Sequence, residues 1–555
     1  MDNSKIRILL LLAIALLAFA LWNKWQLFSH PPLQTTPTAQ HQGDSNGSST
    51  PELSSVSQTS TPRPAPLIAK NIAPIVVQTD VMNVKISPVG GKIISTTLVK
   101  YAQSSANKSP MPLLFDNQKG QYFVESGLTG SGIKTDAIRY QTAKMHYELG
   151  QRKELTVSMQ ARADGLMITK TLTFHRDSYQ VDVNYHIQNL GSKIWQGRFF
   201  GQILRTPPQK LTHHFFDFFS HKSHAALTNY MTFTGAAVST PNDHYNKLSF
   251  EDMAESNINQ TVKTGWAAMI EHYFITAWIP TSGKAIKLYT RDYHGLYAVG
   301  LANPTLSIRP GHSATTGAKI YMGPAVMSRL KATAPYLDLT INFGWLWFLS
   351  IPIFMVMSLI HHIVGNWGWS IILVTLLIKL VLYPLSAKSY HSMAKMRRLQ
   401  PRMQQLRETH AGDREAIGKA TMQLYKKEGV SPLGGCLPIV VQIPIFIGLY
   451  YMLLASVELR QAPFIFWIKD LSAADPYFVL PIIMGISMFV QQRLSPSPPD
   501  PLQAKLFMLM PVLFTVLFLH FPSGLVLYWI VNNVVSILQQ WYILRHYREK
   551  KTVKK

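Results

Sequence analysis

The chain has 555 residues, 47% of them hydrophobic, with 53 Lys and Arg against 29 Asp and Glu for a net charge of +24. One cysteine, Cys436, excludes an intrachain disulfide, so any exported domain must be held by its own core. A charge this large suits nucleic acid, anionic lipid or an acidic protein, and its position along the chain decides among them.

An apolar run at 6–22, IRILLLLAIALLAFALW, carries Lys5 and Arg7 at its start, the arrangement of a signal anchor or a cleaved signal peptide. Ala18-Phe19-Ala20 resembles a cleavage site, but the run continues through Leu21 and Trp22 to a spanning length, so residues 1–28 are expected to stay as a transmembrane anchor. Residues 29–70 are rich in Pro, Ser, Thr and Gln and hold too little apolar surface to fold, which marks a disordered, exported linker.

Over 71–335 the pattern turns to period two. "IVVQTDVMNVKI", "KTLTFHRDSYQVDVNYHI" and "KAIKLYTRDY" alternate apolar with polar residues between Gly and Pro turns, which predicts one large β-sandwich. The nearest approach to a phosphate loop, Gly127 to Gly132 before Ile133-Lys134-Thr135, has its lysine one place late, and His213 and His214 suit surface or core places. No metal-ligand spacing, HExxH or GxSxG occurs, so no cofactor and no energy-using enzyme are expected.

Between 336 and 545 apolar runs recur, with predicted spans at about 367–385, 432–456, 476–492, 506–521 and 523–544. Residues 387–430 carry ten Lys or Arg against four acids, and six more stand against one from 545 onward; loops this basic stay in the cytoplasm. Six crossings with both ends inside satisfy that charge distribution only if 343–364 lies along the interface, which Trp345, Trp347 and Pro352 favour. The fold class is thus multi-domain: an α-helical polytopic membrane bundle plus an all-β domain outside the membrane.

Lys379 stands in the middle of "TLLIKLVLYPLS", about 18 Å from one end of its helix and about 9 Å from the other. One reading has the stem snorkel to the interface; the other has it face a polar cavity. Thr375, Lys379, Tyr383 and Ser386 share a helical face, as do Tyr528, Asn532, Ser536 and Gln540, while Gln442 lies inside another span. These stripes either glue helices together or line a hydrated groove. No carboxylate occurs in the five later spans, and an uncompensated cation beside polar stripes favours water.

The loop 387–430 is expected to form a cytoplasmic helical hairpin with Met393, Met396 and Met403 on one side and Arg397 and Arg398 on others. It either packs on itself or offers a Met-rich face to incoming apolar segments. The tail at 546–555 (HYREKKTVKK) suits lipid headgroups or the phosphates of ribosomal RNA.

"NWGWSIILVTLLIKLVLYPLS" (366–386), "SMAKMRRLQPRM" (392–403), "SPLGGCLPIVVQIPIFIGLYYML" (431–453), "SVELRQAPFIFWIKDLSAADPY" (456–477) and "FPSGLVLYWIVNN" (521–533) together make the chain resemble the YidC membrane-protein insertase family. The resemblance covers nearly the full length. It implies a five-helix insertase core with a hydrophilic groove, a periplasmic β-super-sandwich akin to sugar-mutarotase folds, and an inner-membrane location. It also implies nascent membrane proteins as substrates, the Sec translocon, ribosome and phospholipid bilayer as partners, no small-molecule substrate, and no catalysis. By resemblance the groove cation falls on Lys379, a groove-lining hydroxyl on Thr375, and the substrate-contacting aromatic on Trp529, beside Tyr528. Bacterial relatives usually carry Arg at the cation position, so Lys379 keeps the charge without the bidentate fork. The competing classes are a transporter or channel for an anionic solute and a sugar-binding receptor; matching transporter halves are not found.

Overall fold

The computed structural model describes residues 72–552 except 105–106, 118–119, 131–132, 134–137, 209–232, 282, 411–412, 431–436 and 496–500. The anchor and linker expected at 1–70, Gly132, Lys134, Thr135, His213, His214 and Cys436 lie outside the described residues. So does the end of the basic tail, 553–555.

Period two becomes two sheets. Strand Glu154–Ala163 alternates exposed and buried residues along its length, and its partner Leu166–His175 alternates buried and half-buried ones. Ala163 pairs with Leu166 across the two-residue loop Asp164-Gly165, both at positive φ (49° and 74°), the backbone that an Asp-Gly hairpin turn adopts. This hairpin belongs to a nine-stranded sheet that faces an eleven-stranded one. Pairing is antiparallel apart from Ile75–Gln78 with His146–Glu148. Trp266–Ile270 is buried at every position, and Trp266 and Trp278 are among the largest fully buried side chains.

The space between the sheets also holds polar groups. The Tyr122 hydroxyl donates to Thr276 Oγ1 at 2.9 Å. Lys170, 1% exposed, donates to the Gly91 carbonyl at 2.7 Å and to Ser126 Oγ at 2.9 Å. Its Nζ also lies 5.2 Å from the centre of the Tyr185 ring. Nearby, Lys92 and Glu125 pair at 3.1 Å.

Ten α-helices occur among the described residues. Two belong to the β domain: α1 (Phe250–Glu255), opened by a Ser249 capping box, and α2 (Met327–Thr333). The others are α3 (Trp347–Val364), α4 (Trp367–Val381), α5 (Tyr383–Thr409), α6 (Arg414–Lys427), α7 (Leu437–Ala455), α8 (Val479–Leu494), α9 (Pro501–Phe518) and α10 (Ser523–Thr552). The β domain and most of the helical core form one compact unit, while Pro384–Pro438 belongs to a second. Among the described residues α3 is the single continuous helix long and apolar enough to cross a membrane; α4 with α5 also qualifies if the two form one broken span.

Helix boundaries shift by several residues from the sequence expectation, as in Pro501–Phe518 against 506–521, and two of the shifts change how elements connect. The span predicted at 367–385 ends at Val381, with Leu382 as its cap, and a new helix begins at Tyr383. Pro384 explains the break, because it has no N–H for the preceding turn and its ring crowds the carbonyl four residues earlier. The last helix continues without interruption into the basic tail as far as Thr552.

The β domain docks on the loop between α7 and α8 by direct hydrogen bonds. Arg460 donates from its two terminal nitrogens to the carbonyls of Ala102 and Gln103, both at 2.8 Å, and its guanidinium lies over the Phe274 ring. Gln461 Nε2 donates to the same Ala102 carbonyl, and His272 Nε2 meets the Leu454 carbonyl at 2.7 Å.

Candidate functional site

Helix α4 is fixed at its start by Asn366, whose side chain accepts from Gly368 N–H and Trp369 N–H while its Nδ2 donates to the Pro463 and Phe464 carbonyls. Gly368 is required there, since a Cβ would stand 2.0 Å from Phe464 Cδ2. Two turns on, Thr375 is 1% exposed and returns its hydroxyl proton to the Ile371 carbonyl at 2.6 Å. One turn further, Lys379 is 9% exposed.

The Lys379 ammonium donates to Ser536 Oγ of α10 at 2.8 Å. Ser536, 2% exposed, in turn donates to the Asn532 carbonyl at 2.7 Å. No ion pair among the described residues involves Lys379. A cation is therefore held inside a helical core by one neutral hydroxyl.

The other predicted residues of α10 gather in the same core. Tyr528 is 1% exposed and has Gln442 of α7 as a hydrogen-bonding neighbour. Trp529 packs edge-on against Phe446 at 4.7 Å and beside Phe518 at 5.3 Å, and its indole N–H is buried without a protein partner. Asn532 is buried, and Asn533 donates to Ser487 of α8 at 2.9 Å, tying α10 to a third helix. The stripe predicted through Tyr383 does not hold as one face. Tyr383 is exposed and lies past the break at Leu382.

The hairpin belongs to the second unit. Asp413 caps α6 by accepting from Glu415 and Ala416 N–H. Arg402 pairs with Glu428 at 2.7 Å. Leu399, Met403, Tyr425 and Val430 make a small core that Met396 and Leu424 cover. Met396 and Met403 are thereby committed to the hairpin's own packing, Met393 is half-buried outside that cluster, and Arg397 and Arg398 are exposed.

Two family descriptions together span almost the entire described chain: "YidC periplasmic domain" matches residues 74–356 and "60Kd inner membrane protein" matches 359–551. Curated relatives called membrane protein insertase YidC match end to end. That of Coxiella burnetii (strain RSA 331 / Henzerling II) is 43% identical over 98% of this chain and 97% of its own. That of Legionella pneumophila (strain Paris) is 45% identical over 99% and 98%. The chain belongs to the YidC membrane protein insertase family.

Among solved structures, an active YidC insertase with its first transmembrane domain resolved is 18% identical, covering 85% of this chain and 93% of that one with a TM-score of 0.39. A galactose mutarotase-like protein from Lactobacillus casei covers 45% of this chain and 100% of its own at 8% identity and a TM-score of 0.31. Scores this low carry no weight, and the assignment rests on the sequence matches.

For a member of the YidC family, two groups stand out that sequence reasoning did not single out. Ser536 appears there only as one polar residue of a stripe, and its pairing with Lys379 links residues 157 positions apart. Arg460 appears there only as a letter of the stretch 456–477, with no role assigned.

Proposed function

We propose that this protein inserts inner-membrane proteins and assists their folding, alone or with the Sec translocon, through a hydrophilic groove in its helical core. The observation that carries this reading is Lys379: a buried cation with a neutral partner and no carboxylate, on a face shared with Thr375 and opposite Ser536. A site of that kind suits a transient anionic guest.

In this reading a polar loop or tail of the substrate enters from the cytoplasm, drawn by Lys379 where it carries Asp or Glu. Gln442, Asn532 and Thr375 line the path. The substrate's apolar span leaves past Tyr528 and Trp529, and its burial in lipid, about 25 cal/mol per Å² of apolar area, drives the step without nucleotide. Short helices support a thinned bilayer at this place. The 16 residues of α8 reach about 24 Å, less than a hydrocarbon core of about 30 Å.

The topology proposed with it has six crossings, both termini and the hairpin at 387–430 in the cytoplasm, the β domain in the periplasm and 343–364 at the interface. The basic hairpin, with Arg397 and Arg398 exposed, and the tail then meet the ribosome and the inner leaflet.

The test depletes the host's own insertase and supplies this protein as wild type, Lys379→Arg or Lys379→Ala. Insertion of a two-span substrate is scored by protease protection of its translocated loop. Wild type and Lys379→Arg are expected to insert a substrate with an acidic loop, and Lys379→Ala to insert it about tenfold less while accepting a neutral loop. Normal insertion of both substrates by a stably accumulated Lys379→Ala protein overturns the reading.

A further inference from the structure

We infer that Ser536 is the positioning residue for the Lys379 ammonium: its hydroxyl holds the cation against α10 between substrates and yields it to a carboxylate of the inserting chain. This rests on the reading of Lys379 as the groove's cation and adds to it a defined resting partner.

The geometry assigns the hydroxyl one role. Ser536 has a single O–H, and that proton goes to the Asn532 carbonyl one turn earlier at 2.7 Å. What remains facing Lys379 is a lone pair, and Nζ lies 2.8 Å from it. The back-bond therefore turns the serine into a fixed acceptor. Asn532 serves through its main chain, so the arrangement does not depend on the orientation of its amide.

An ammonium has three N–H groups. Ser536 takes one, and the other two have no protein partner among the described residues. The position of the cation is thus set while most of its hydrogen-bonding capacity stays unspent. A neutral hydroxyl is also a weaker competitor than a carboxylate, because it offers the ammonium a dipole where the carboxylate adds a full opposite charge. An arriving Asp or Glu can take the free donors first and then displace Ser536. A carboxylate built into the core at this place would instead compete with every substrate on equal terms.

Threonine and valine at 536 have nearly the same shape and differ in the hydroxyl, so they separate positioning from packing. In the insertase-depletion assay, Ser536→Thr is expected to match wild type on the acidic-loop substrate. Ser536→Val and Ser536→Ala are expected to lower its insertion several-fold and to leave the neutral-loop substrate unchanged. In a Lys379→Ala background, Ser536→Val is expected to add no further loss. If Ser536→Val inserts the acidic loop as well as Ser536→Thr while Lys379→Ala does not, Ser536 is idle and this inference falls, with the groove reading intact. If Ser536→Val lowers acidic and neutral substrates alike, or still lowers insertion without Lys379, the serine only packs and the inference is overturned. If Lys379→Ala inserts everything normally, the groove reading itself is wrong. Should Ser536→Ala not accumulate in membranes, the Thr and Val pair still decides.

Discussion

Three lysines are buried among the described residues, Lys92, Lys170 and Lys379, and the last two are buried differently. Lys170, between the sheets of the β domain, has a carbonyl and a hydroxyl at hydrogen-bonding distance, an aromatic face beside it and an acid close by. Lys379, in the helical core, has one serine. Glu125 is not free to neutralise Lys170, being paired with Lys92 and accepting from Gln202 at 2.9 Å. Burial therefore pulls the Lys170 pKa down to about 7, with Glu125 opposing and Lys92 adding to the fall. The fold has surrounded Lys170 with permanent partners, whereas Lys379 keeps donors in reserve. Saturation marks the structural lysine and reserve the functional one.

That contrast is broken most directly by Lys170→Ala. It leaves the Gly91 carbonyl unpaired and opens a cavity, so unfolding should become easier by about 3 kcal/mol, read from denaturant or thermal melts of the full chain in detergent. In wild type the depressed pKa means the unfolded chain binds the proton more tightly. The Lys170 contribution to stability is then greatest above 10.5 and declines as pH falls toward about 7, below which it levels off. Lys170→Met should flatten that slope. A slope that survives would show that Lys170 is already charged in the folded protein.

Lys379→Ala should do the reverse. Insertion of an acidic-loop substrate should drop about tenfold, the worth of a charge-assisted hydrogen bond, with the melt displaced by less than that of Lys170→Ala. Equal damage to melting by both variants would end the distinction between them.

Smaller effects belong to the seam where the β domain meets the loop between α7 and α8. Arg460→Ala removes two hydrogen bonds to carbonyls and a stacked cation, a loss of about 1–2 kcal/mol that hydrogen exchange near Gln103 should report as faster opening.

The smallest expected effect is in pH. Burial raises Glu458 from 4.5 to about 7, so its contribution is full below 4.5 and lost as pH rises through about 7. Burial lowers His272 from 6.5 to about 4, helped by Arg460 and opposed by its bond to Leu454, so its contribution is full above 6.5 and lost as pH falls through about 4. The two slopes oppose one another between about 4.5 and 6.5. Glu458→Gln should expose the histidine alone: the opening free energy at the seam, from exchange corrected for the intrinsic amide rate at each pH, rises as pH rises toward 6.5 and stays constant above it.

Much of this was legible before the structure. Apolar runs placed α4, α7, α8 and the start of α10 within a few residues, because length and hydropathy are local properties. Lys379 was conspicuous because a charge inside an apolar run has no local excuse. Lys170 carried a signal that went unread: it shares parity with Leu166, Ile168, Leu172 and Phe174 on a strand that buries every second residue. The break at Leu382 was also written, in Pro384. What could not be read is partnership. Ser536 meets Lys379 and Arg460 meets Ala102 only after the chain has folded across hundreds of residues, and no periodicity encodes such pairs.

The Arg460 joint has a consequence for how this protein diverges. Its guanidinium grips peptide oxygens, which every residue type supplies, so the side chains at 102 and 103 are under no pressure from it. Mutations can accumulate on the gripped segment while the gripping residue stays fixed. A search for correlated substitutions would find no paired change at this joint, and the connection between the two halves of the molecule would be visible only in three dimensions.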